Sequence, residues 1–257
     1  MTVDYQRNAV EALANGLRAI EAFETGGRNM TLSQVAQRAG LSRATARRYL
    51  HTLCALGYAE HDGKHFRLTP RVLKLGYTFI STAPLPKLAQ PILEHVGAAT
   101  GRPVFLGVLD GLDVVFLAVH VAGSTPRPAP GLVNVGGRLP ALTSASGRVL
   151  LAARTDAEVE RLIRKARLPR RVTLKTKTRS DDLLQEIRRV RMAGYATADK
   201  EVDLATRSIA VPVVASTGQV AAAITIVCPA AGESMLRLAE QLLPVLRSAS
   251  TSLGSML

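Results

Sequence analysis

Residues 31–57 constrain the fold more than any other part of the sequence, because they contain two short helices joined by a very tight turn. Thr31 can cap the first helix, over about 32–39, and Ser42 can cap the second through a side-chain oxygen that accepts backbone N–H groups. Gly40 lies between them and tolerates the left-handed backbone conformation that ends the first helix. Two helices joined in this way form a helix-turn-helix, whose second helix typically lies in the major groove of DNA.

The second of these helices has an apolar face and a basic face when its residues are placed at helical spacing. Ala46, Leu50 and Leu53 lie on the apolar face, whereas arginines dominate the opposite face. Arginine can donate two hydrogen bonds to guanine or neutralise a phosphate, so this face is suited to DNA. The residues that we expect to contact DNA are Thr31, Ser33, Ser42, Arg43, Ala44, Thr45, Arg47, Arg48, His51, Lys64 and Arg67.

A β-hairpin is predicted directly after this helix. Asp62 and Gly63 form a strong turn signal between two short runs of strand-forming residues. Lys64, His65 and Arg67 then lie near the hairpin tip, where a wing beside the DNA needs basic side chains. The alternative interpretation is an ordinary helical bundle with a solvated basic face. The turn, the two-faced helix and the basic hairpin occur together and in order, which favours a winged helix-turn-helix.

The chain is predicted to have three parts. Residues 1–69 form the winged helix-turn-helix domain, and a linker helix over 70–83 follows, starting at Thr69-Pro70. The run Ala83-Pro84-Leu85-Pro86 interrupts the helical pattern, so we place the start of the second domain, 84–257, there.

The second domain is predicted to mix strands and helices. Strands are expected over 104–109, 114–120, 195–198, 209–215 and 220–227, and helices over 148–153, 157–165, 181–193 and 233–250. Ser146 is the expected cap of the 148–153 helix, and three prolines between Gly123 and Gly131 indicate a loop. This order of elements predicts an α+β domain on a mostly antiparallel sheet.

Composition limits the partners and the compartment. The sequence carries 33 lysines and arginines against 20 acidic residues, a formal net charge of +13, which makes an extended polyanion a serious candidate partner. The densest basic run, 164–179, can be a second polyanion contact, but a solvated helix end and loop is the preferred interpretation. The 2 cysteines exclude a disulfide framework and fit a reducing, cytoplasmic compartment. No targeting or membrane segment is expected, since residues 216–219 interrupt the most hydrophobic region.

The sequence resembles the IclR family of bacterial transcriptional regulators over nearly its whole length. In the DNA-binding half, the motifs that carry the resemblance are LSQVA (32–36), GLSRAT (40–45), RYL (48–50), LGY (56–58) and LTPRVLKLG (68–76). In the second half they are LPA (139–141), SGRVLLA (146–152), VR (190–191) with GY (194–195), and SIAVP (208–212). Within the family, RATARR (43–48) and LPKLAQP (85–91) are most similar to the branch that controls catabolism of aromatic acids and responds to protocatechuate, 4-hydroxybenzoate or β-ketoadipate.

The resemblance implies a winged helix-turn-helix domain, a linker helix and a GAF-like domain that binds a small organic acid effector. It also implies a double-stranded DNA operator of palindromic sequence and a homodimer, often assembled into a homotetramer. The effector-binding residues that it implies are Thr143, Ser144, Ser146, Asp199, Glu201, Arg207, Ser208, Thr225 and Val227. The family usually has a glycine between its acidic residue and the Arg-Ser-Ile-Ala run, whereas residues 201–207 contain none, so this loop is expected to be stiffer or reshaped. Val227 also occupies a position at which the family commonly has a hydroxyl residue, so one fewer polar side chain is expected to contact the effector.

Two other functions compete with a ligand-responsive regulator. An enzyme is disfavoured because residues 143–147 lack the Gly-x-Ser-x-Gly elbow of hydrolases. No P-loop, dinucleotide fingerprint or metal-ligand spacing occurs either, so neither a cofactor nor a metal is expected. A DNA-binding protein without a ligand is disfavoured because DNA binding alone does not need so large a second domain.

Overall fold

The computed structural model describes residues 9–121, 134–165 and 168–257. The chain divides between Thr82 and Ala83 into two compact units. The loop expected between Gly123 and Gly131 lies outside the described residues. Each unit has its own apolar core, as independent domains do.

The first unit is a small helical domain with a two-stranded hairpin. Its elements are α1 (Glu11–Gly26), α2 (Leu32–Ala39), α3 (Arg43–Ala55), β1 (Ala59–His61), β2 (Phe66–Leu68), a 3₁₀ turn (Pro70–Val72) and α4 (Leu73–Thr82). Strands β1 and β2 pair antiparallel, with Ala59 opposite Leu68. The apolar sides of α1, α2 and α3 bury Ala19, Val35 and Leu50 against Phe66 of the hairpin. This confirms the winged helix-turn-helix fold predicted from the sequence.

The turn between α2 and α3 has the predicted chemistry. Thr31 and Gln34 form a reciprocal capping box, in which the N–H of Thr31 donates to Oε1 of Gln34 at 2.8 Å. Gly40 ends α2 in the left-handed region, with φ 65°. Ser42 caps α3, and its Oγ accepts the N–H of Thr45 at 3.1 Å. The relative orientation of α2 and α3 is therefore fixed by local hydrogen bonds as well as by the core.

The second unit is an antiparallel sheet with helices on both faces. Its helices are α5 (Pro84–Thr100), α6 (Ala145–Ala152), α7 (Asp156–Lys165), α8 (Ser180–Ala193) and α9 (Met235–Gly254). Its strands are β3 (Val104–Asp110), β4 (Asp113–His120), β5 (Arg138–Pro140), β6 (Ala196–Asp199), β7 (Thr206–Val214) and β8 (Val220–Pro229). The 6 strands are ordered β5-β4-β3-β8-β7-β6, and every pair is antiparallel. This confirms the predicted α+β class.

Alternate residues of the central strands enter two different cores. On β8, Ile224 and Ile226 pack with α5 and α9, whereas Ala223 packs on the other face with α6 and α8. On β3, Val104 and Leu106 face the first core and Phe105 the second. Since side chains of a strand alternate between faces, a strand covered by helices on both sides is apolar throughout.

Two elements of this unit are not predicted by the sequence pattern. Helix α5 begins at Pro84, with only Ala83 between it and the end of α4, because proline is well tolerated in the first turn of a helix, where its missing N–H would have no partner. Pro84 therefore starts a second helix, so the chain becomes helical again directly after α4. The short strand β5 is the other omission, and it pairs with β4 at the edge of the sheet.

Candidate functional site

The exposed face of α3 carries the arginines that the sequence assigns to DNA contact. Arg43, Arg47, Arg48 and His51 are exposed, as are Ala44 and Ser33, while Ala46, Leu50 and Leu53 are buried. Since this face contacts neither the core nor the hairpin strands extensively, its guanidinium groups are available to a groove or to phosphates.

Other residues of the predicted DNA site also have structural roles. The hydroxyls of Thr31 and Ser42 cap α2 and α3, and Oγ1 of Thr45 lies 2.8 Å from Oγ of Ser42. These short polar side chains therefore lie at the two helix N-termini, where positive backbone N–H groups favour an anion.

The hairpin holds Lys64 at its tip. Oδ1 of Asp62 accepts the backbone N–H of His65 at 2.8 Å and of Lys64 at 3.0 Å, and these hydrogen bonds lower the pKa of Asp62. Lys64 is exposed, whereas Arg67 is half-buried and donates from Nε to Glu60 across the hairpin. Lys64 is thus the more accessible of the two predicted wing cations.

A cavity in the second unit lies between the N-terminus of α6 and one face of the sheet. It encloses about 470 Å³ of space free of protein atoms, including its open mouth. The residues that line it are Phe105, Phe116, Leu139, Ser144, Ser146, Val202, Asp203, Thr206, Ser208, Thr225 and Val227. Among the residues of the implied effector site, Ser144, Ser146, Ser208, Thr225 and Val227 line this cavity, and Thr143, Asp199, Glu201 and Arg207 do not.

The N-terminus of α6 forms one side of the cavity and is tightly constrained. Ser144, and not the expected Ser146, is the N-cap, and its Oγ accepts the N–H of Gly147 at 3.2 Å. A Cβ added to Gly147 would lie 2.2 Å from the backbone of Ala141, so only glycine allows this loop to approach the helix so closely. The first N–H groups of a helix have no intrahelical partner. Ser144 satisfies the N–H of Gly147, so among the described residues the N–H groups of Ala145 and Ser146 are the ones left for a ligand at the cavity.

The sheet contributes a hydroxyl without a partner. Thr225 is 4 % exposed, and its Oγ1 makes no hydrogen bond to any part of the chain that the structure describes. Thr225 lies opposite Phe105 on β3 and Ala210 on β7. A buried hydroxyl without a partner is destabilising unless something else satisfies it, so this atom marks a place where a ligand atom is expected.

Two phenyl rings form the apolar side of the cavity. Phe105 and Phe116 are buried, with centroids 4.9 Å apart and planes tilted by 45°. Neither phenylalanine was predicted to line the site, although both lie on the same sheet face as Thr225. Four other lining residues were not predicted either, namely Leu139 in β5, Val202 and Asp203 in the loop before β7, and Thr206 at the start of β7.

The charged residues assigned to the effector form ion pairs elsewhere. Glu201 accepts two hydrogen bonds from Arg148, from Nη1 at 2.7 Å and from Nη2 at 2.6 Å, and both residues are buried. Asp199 lies between Lys175 and Arg207, and Nε of Arg207 donates to it at 2.6 Å. Burial raises the pKa of Asp199, but hydrogen bonds from Lys175 and Arg207 lower it below its ordinary value.

The cavity has a polar end without a cation. No lysine, arginine or histidine is among its described lining residues. The Asp203 carboxylate is already occupied, accepting the N–H of Ala205 at 2.7 Å and the hydroxyl of Thr206 at 2.8 Å. Among the described residues, the groups left to contact a ligand are therefore the hydroxyls of the lining serines and of Thr225 and the first two N–H groups of α6.

The chain matches two family models in the order of its two units. Residues 12–63 match the IclR helix-turn-helix domain, and residues 77–254 match the model described as bacterial transcriptional regulator IclR C-terminal. The chain belongs to the IclR family of bacterial transcriptional regulators. The exposed α3 face and the α6 cavity thus lie in the DNA-binding and C-terminal parts of an IclR regulator, respectively.

Relatives within the IclR family are similar over almost the whole chain. The chain is 36% identical to the Pca regulon regulatory protein of Pseudomonas putida, covering 94% of this chain and 82% of the relative. It is also 36% identical to the p-hydroxybenzoate hydroxylase transcriptional activator of Acinetobacter baylyi, covering 99% of this chain and 93% of the relative. An IclR homolog from Microbacterium hydrocarbonoxydans, solved as a complex with 4-hydroxybenzoate, is 28% identical with a TM-score of 0.75, covering 95% of this chain and 97% of that one.

Two features are absent from the described part of this IclR regulator. Within residues 9–121, 134–165 and 168–257, no helix is long and apolar enough to cross a membrane. Over the same ranges, no group of His, Cys, Asp or Glu residues is arranged to hold a metal ion.

Proposed function

We propose that this IclR regulator binds a small aromatic carboxylic acid in the α6 cavity and binds its operator through the α3 face. The observation that supports this best is the combination, in one cavity, of two phenyl rings, a helix N-terminus and the unpartnered hydroxyl of Thr225. An aromatic acid has a flat apolar part and an anionic part. The two phenyl rings suit the apolar part, and the helix N-terminus and the Thr225 hydroxyl suit the anionic part.

The anionic part is proposed to lie at the α6 N-terminus. A helix N-terminus carries partial positive charge and free N–H groups, so it can bind a carboxylate without a lysine or an arginine. Ser144, Ser146 and Thr225 line the same cavity and can donate hydroxyl hydrogen bonds. A hydrogen bond to a charged group contributes about 1.5–3 kcal/mol, so a few such donors suffice for selective binding.

The aromatic ring is proposed to pack beside Phe105 and Phe116. Aromatic pairs favour tilted or offset contacts, which the existing tilt of these two rings allows. The names of two relatives support this class of ligand, since one activates p-hydroxybenzoate hydroxylase expression and one was solved with 4-hydroxybenzoate.

The protein is proposed to act as a homodimer on a palindromic operator. Leu13 and Leu17 of α1 and Leu73, Tyr77 and Phe79 of α4 are exposed apolar residues of the first unit. Exposed apolar surface of this extent marks an interaction site, and a second copy is the proposed occupant. A two-fold dimer would present two α3 helices to two half-sites, which explains a palindrome. In this role the protein needs no catalytic residue and no cofactor, and it acts in the cytoplasm, where the DNA is.

The ligand proposal is tested by calorimetric titration of the purified protein with 4-hydroxybenzoate, protocatechuate, 4-hydroxybenzyl alcohol and succinate. We expect saturable binding of at least one aromatic acid. The alcohol lacks the carboxylate and succinate lacks the ring, so both should bind at least about tenfold more weakly, a difference of roughly 1.4 kcal/mol. Binding of none of the aromatic acids would contradict the proposal and would favour a regulator that does not respond to this ligand class.

The DNA proposal is tested by selecting an operator from random DNA and comparing two variants on it. Arg47→Ala should weaken specific binding by about 1–3 kcal/mol if Arg47 reads a guanine. Lys64→Ala should weaken binding to all sequences about equally and reduce its salt dependence. Arg237→Ala, at an exposed position of α9 in the second unit, is the control and should leave binding unchanged. Unchanged affinity of the Arg47 variant would remove this residue from the DNA site.

A further inference from the structure

Arg148 is a charged side chain held entirely inside the second unit. It is 1 % exposed and lies in the first half of α6. Its Nε donates to the carbonyl of Leu142 at 3.1 Å, and its Nη1 donates to the carbonyl of Thr197 at 3.2 Å. The remaining N–H groups bind both carboxylate oxygens of Glu201. One guanidinium therefore joins the loop before α6, strand β6 and the segment after β6.

Two of the three joined segments border the proposed effector cavity, although Arg148 and Glu201 do not line it. Leu142 lies two residues before Ser144, which lines the cavity at the N-terminus of α6. Glu201 directly precedes Val202 and Asp203, which line the cavity as well. The ion pair thus connects two segments of the cavity wall, although neither of its own residues lines the cavity.

Glu201 is fixed from a second side as well. Its backbone carbonyl accepts the hydroxyl of Thr176 at 2.8 Å, and Nζ of Lys177 lies 3.8 Å from its carboxylate. The neighbouring Lys200 adopts a positive φ of 60°, a conformation that a residue with a side chain rarely adopts without support. The position of residues 200–203 is therefore determined by contacts on both sides of the chain.

Stability alone does not explain such a pair. Removing two charges from water costs several kcal/mol per ion, and an apolar pair of similar size is often equally stable or more stable. A bidentate pair between a guanidinium and a carboxylate does, however, fix both distance and orientation.

We infer that Arg148 and Glu201 are positioning residues of the effector site, which set the separation between the α6 N-terminus and the 202–206 loop. The inference rests on the proposed function, since it assigns these residues to the same cavity. It also reassigns Glu201, which the family resemblance implies as a ligand contact, to a role behind the cavity wall.

The test compares three variants with the wild type. Glu201→Gln keeps the shape but removes the charge, and Arg148→Met/Glu201→Met replaces the pair by apolar side chains that should recover most of the stability. Leu246→Ala is the destabilised control, because this buried leucine of α9 packs on the opposite face of the sheet. Each protein is titrated with 4-hydroxybenzoate and protocatechuate, and amide hydrogen exchange is measured without ligand.

We expect the two pair variants to bind the acid about tenfold or more weakly, even where the double variant is as stable as the wild type. Their ligand-free exchange should be faster in 142–146 and 200–206 and unchanged in α9. In the Leu246→Ala control, exchange should be faster in α9 and unchanged in 142–146 and 200–206, and the affinity for the acid should be retained.

Two results separate this inference from the proposed function. If the wild type binds neither acid, the proposed function fails, and the exchange measurement alone then decides whether the pair holds these two segments. If the wild type binds but the stable double variant binds equally well with unchanged exchange, the positioning role is wrong.

Discussion

Replacing Thr225 by valine should change stability and ligand affinity in opposite directions. The two side chains have nearly the same shape, and both are β-branched residues suited to the interior of β8. The substitution removes an oxygen that is buried and has no hydrogen-bond partner among the described residues. A buried polar group without a partner costs about 1–3 kcal/mol.

For the stability gained when this oxygen is removed, we use the lower end of that range, because the strand can relax around a single atom. The free energy of unfolding should therefore rise by about 1 kcal/mol in the Thr225→Val variant. For a unit of this size, that change raises the melting temperature by about 2–4 °C. Affinity for the aromatic acid should fall, since a hydrogen bond to a carboxylate worth roughly 1.5–3 kcal/mol is lost, a factor of about 10 to 100.

The assay combines urea unfolding of the ligand-free protein with calorimetric titration of 4-hydroxybenzoate. Val227→Thr is the matched variant, because Val227 lines the same cavity two residues further along β8. It adds a hydroxyl, so its stability should fall and its affinity should be equal or higher. The reasoning would be refuted if Thr225→Val lost stability while its affinity stayed at the wild-type value.

Three further predictions concern other features. Gly147→Ala should lower the unfolding free energy by about 3 kcal/mol in chemical denaturation, because the new Cβ meets the backbone of Ala141, whereas Gly16→Ala in α1, with nothing within 4 Å, should be neutral or stabilising. Asp199 has a lowered pKa, so its ionised form stabilises the fold at neutral pH and this contribution disappears as the pH falls through the lowered pKa. Asp199→Asn should therefore lose less stability than the wild type between about pH 6 and pH 3 in urea titrations; an equal loss would contradict the assignment. Tyr77→Asp should convert a dimer to a monomer in sedimentation without unfolding it, while Leu174→Asp, which is even more exposed but lies in the second unit, should remain dimeric.

The parts of the structure that depend on neighbouring residues were predictable from the sequence. Thr31, Gly40 and Ser42 define the ends of α2 and α3 because capping and left-handed turns act over a few residues. The apolar and basic faces of α3 follow from helical spacing alone. The winged helix-turn-helix fold could be derived at this level, whereas contact of the exposed α3 residues with DNA stays a prediction.

The parts that depend on distant contacts were not predictable. Arg148 and Glu201 are 53 residues apart, and nothing near either residue identifies the other as its partner. The family resemblance implied Glu201 as a ligand contact, and nothing in the sequence indicated that Arg148 occupies its carboxylate. Helix α5 was missed for a different reason, since prolines at a first turn and at a helix break look alike in a sequence.

The alternation of β8 between two cores has a consequence for the diversification of such regulators. Ile224, Ile226 and Cys228 support the α5 and α9 side of the sheet, and Thr225 and Val227 face the cavity. Residues that hold the fold and residues that line the cavity are therefore interleaved along one strand but separated in space. If the cavity binds the effector as proposed, substitutions at every second position change which acid is recognised, while the intervening positions preserve the folded domain. New ligand preferences can thus arise by single steps, without an intermediate that fails to fold.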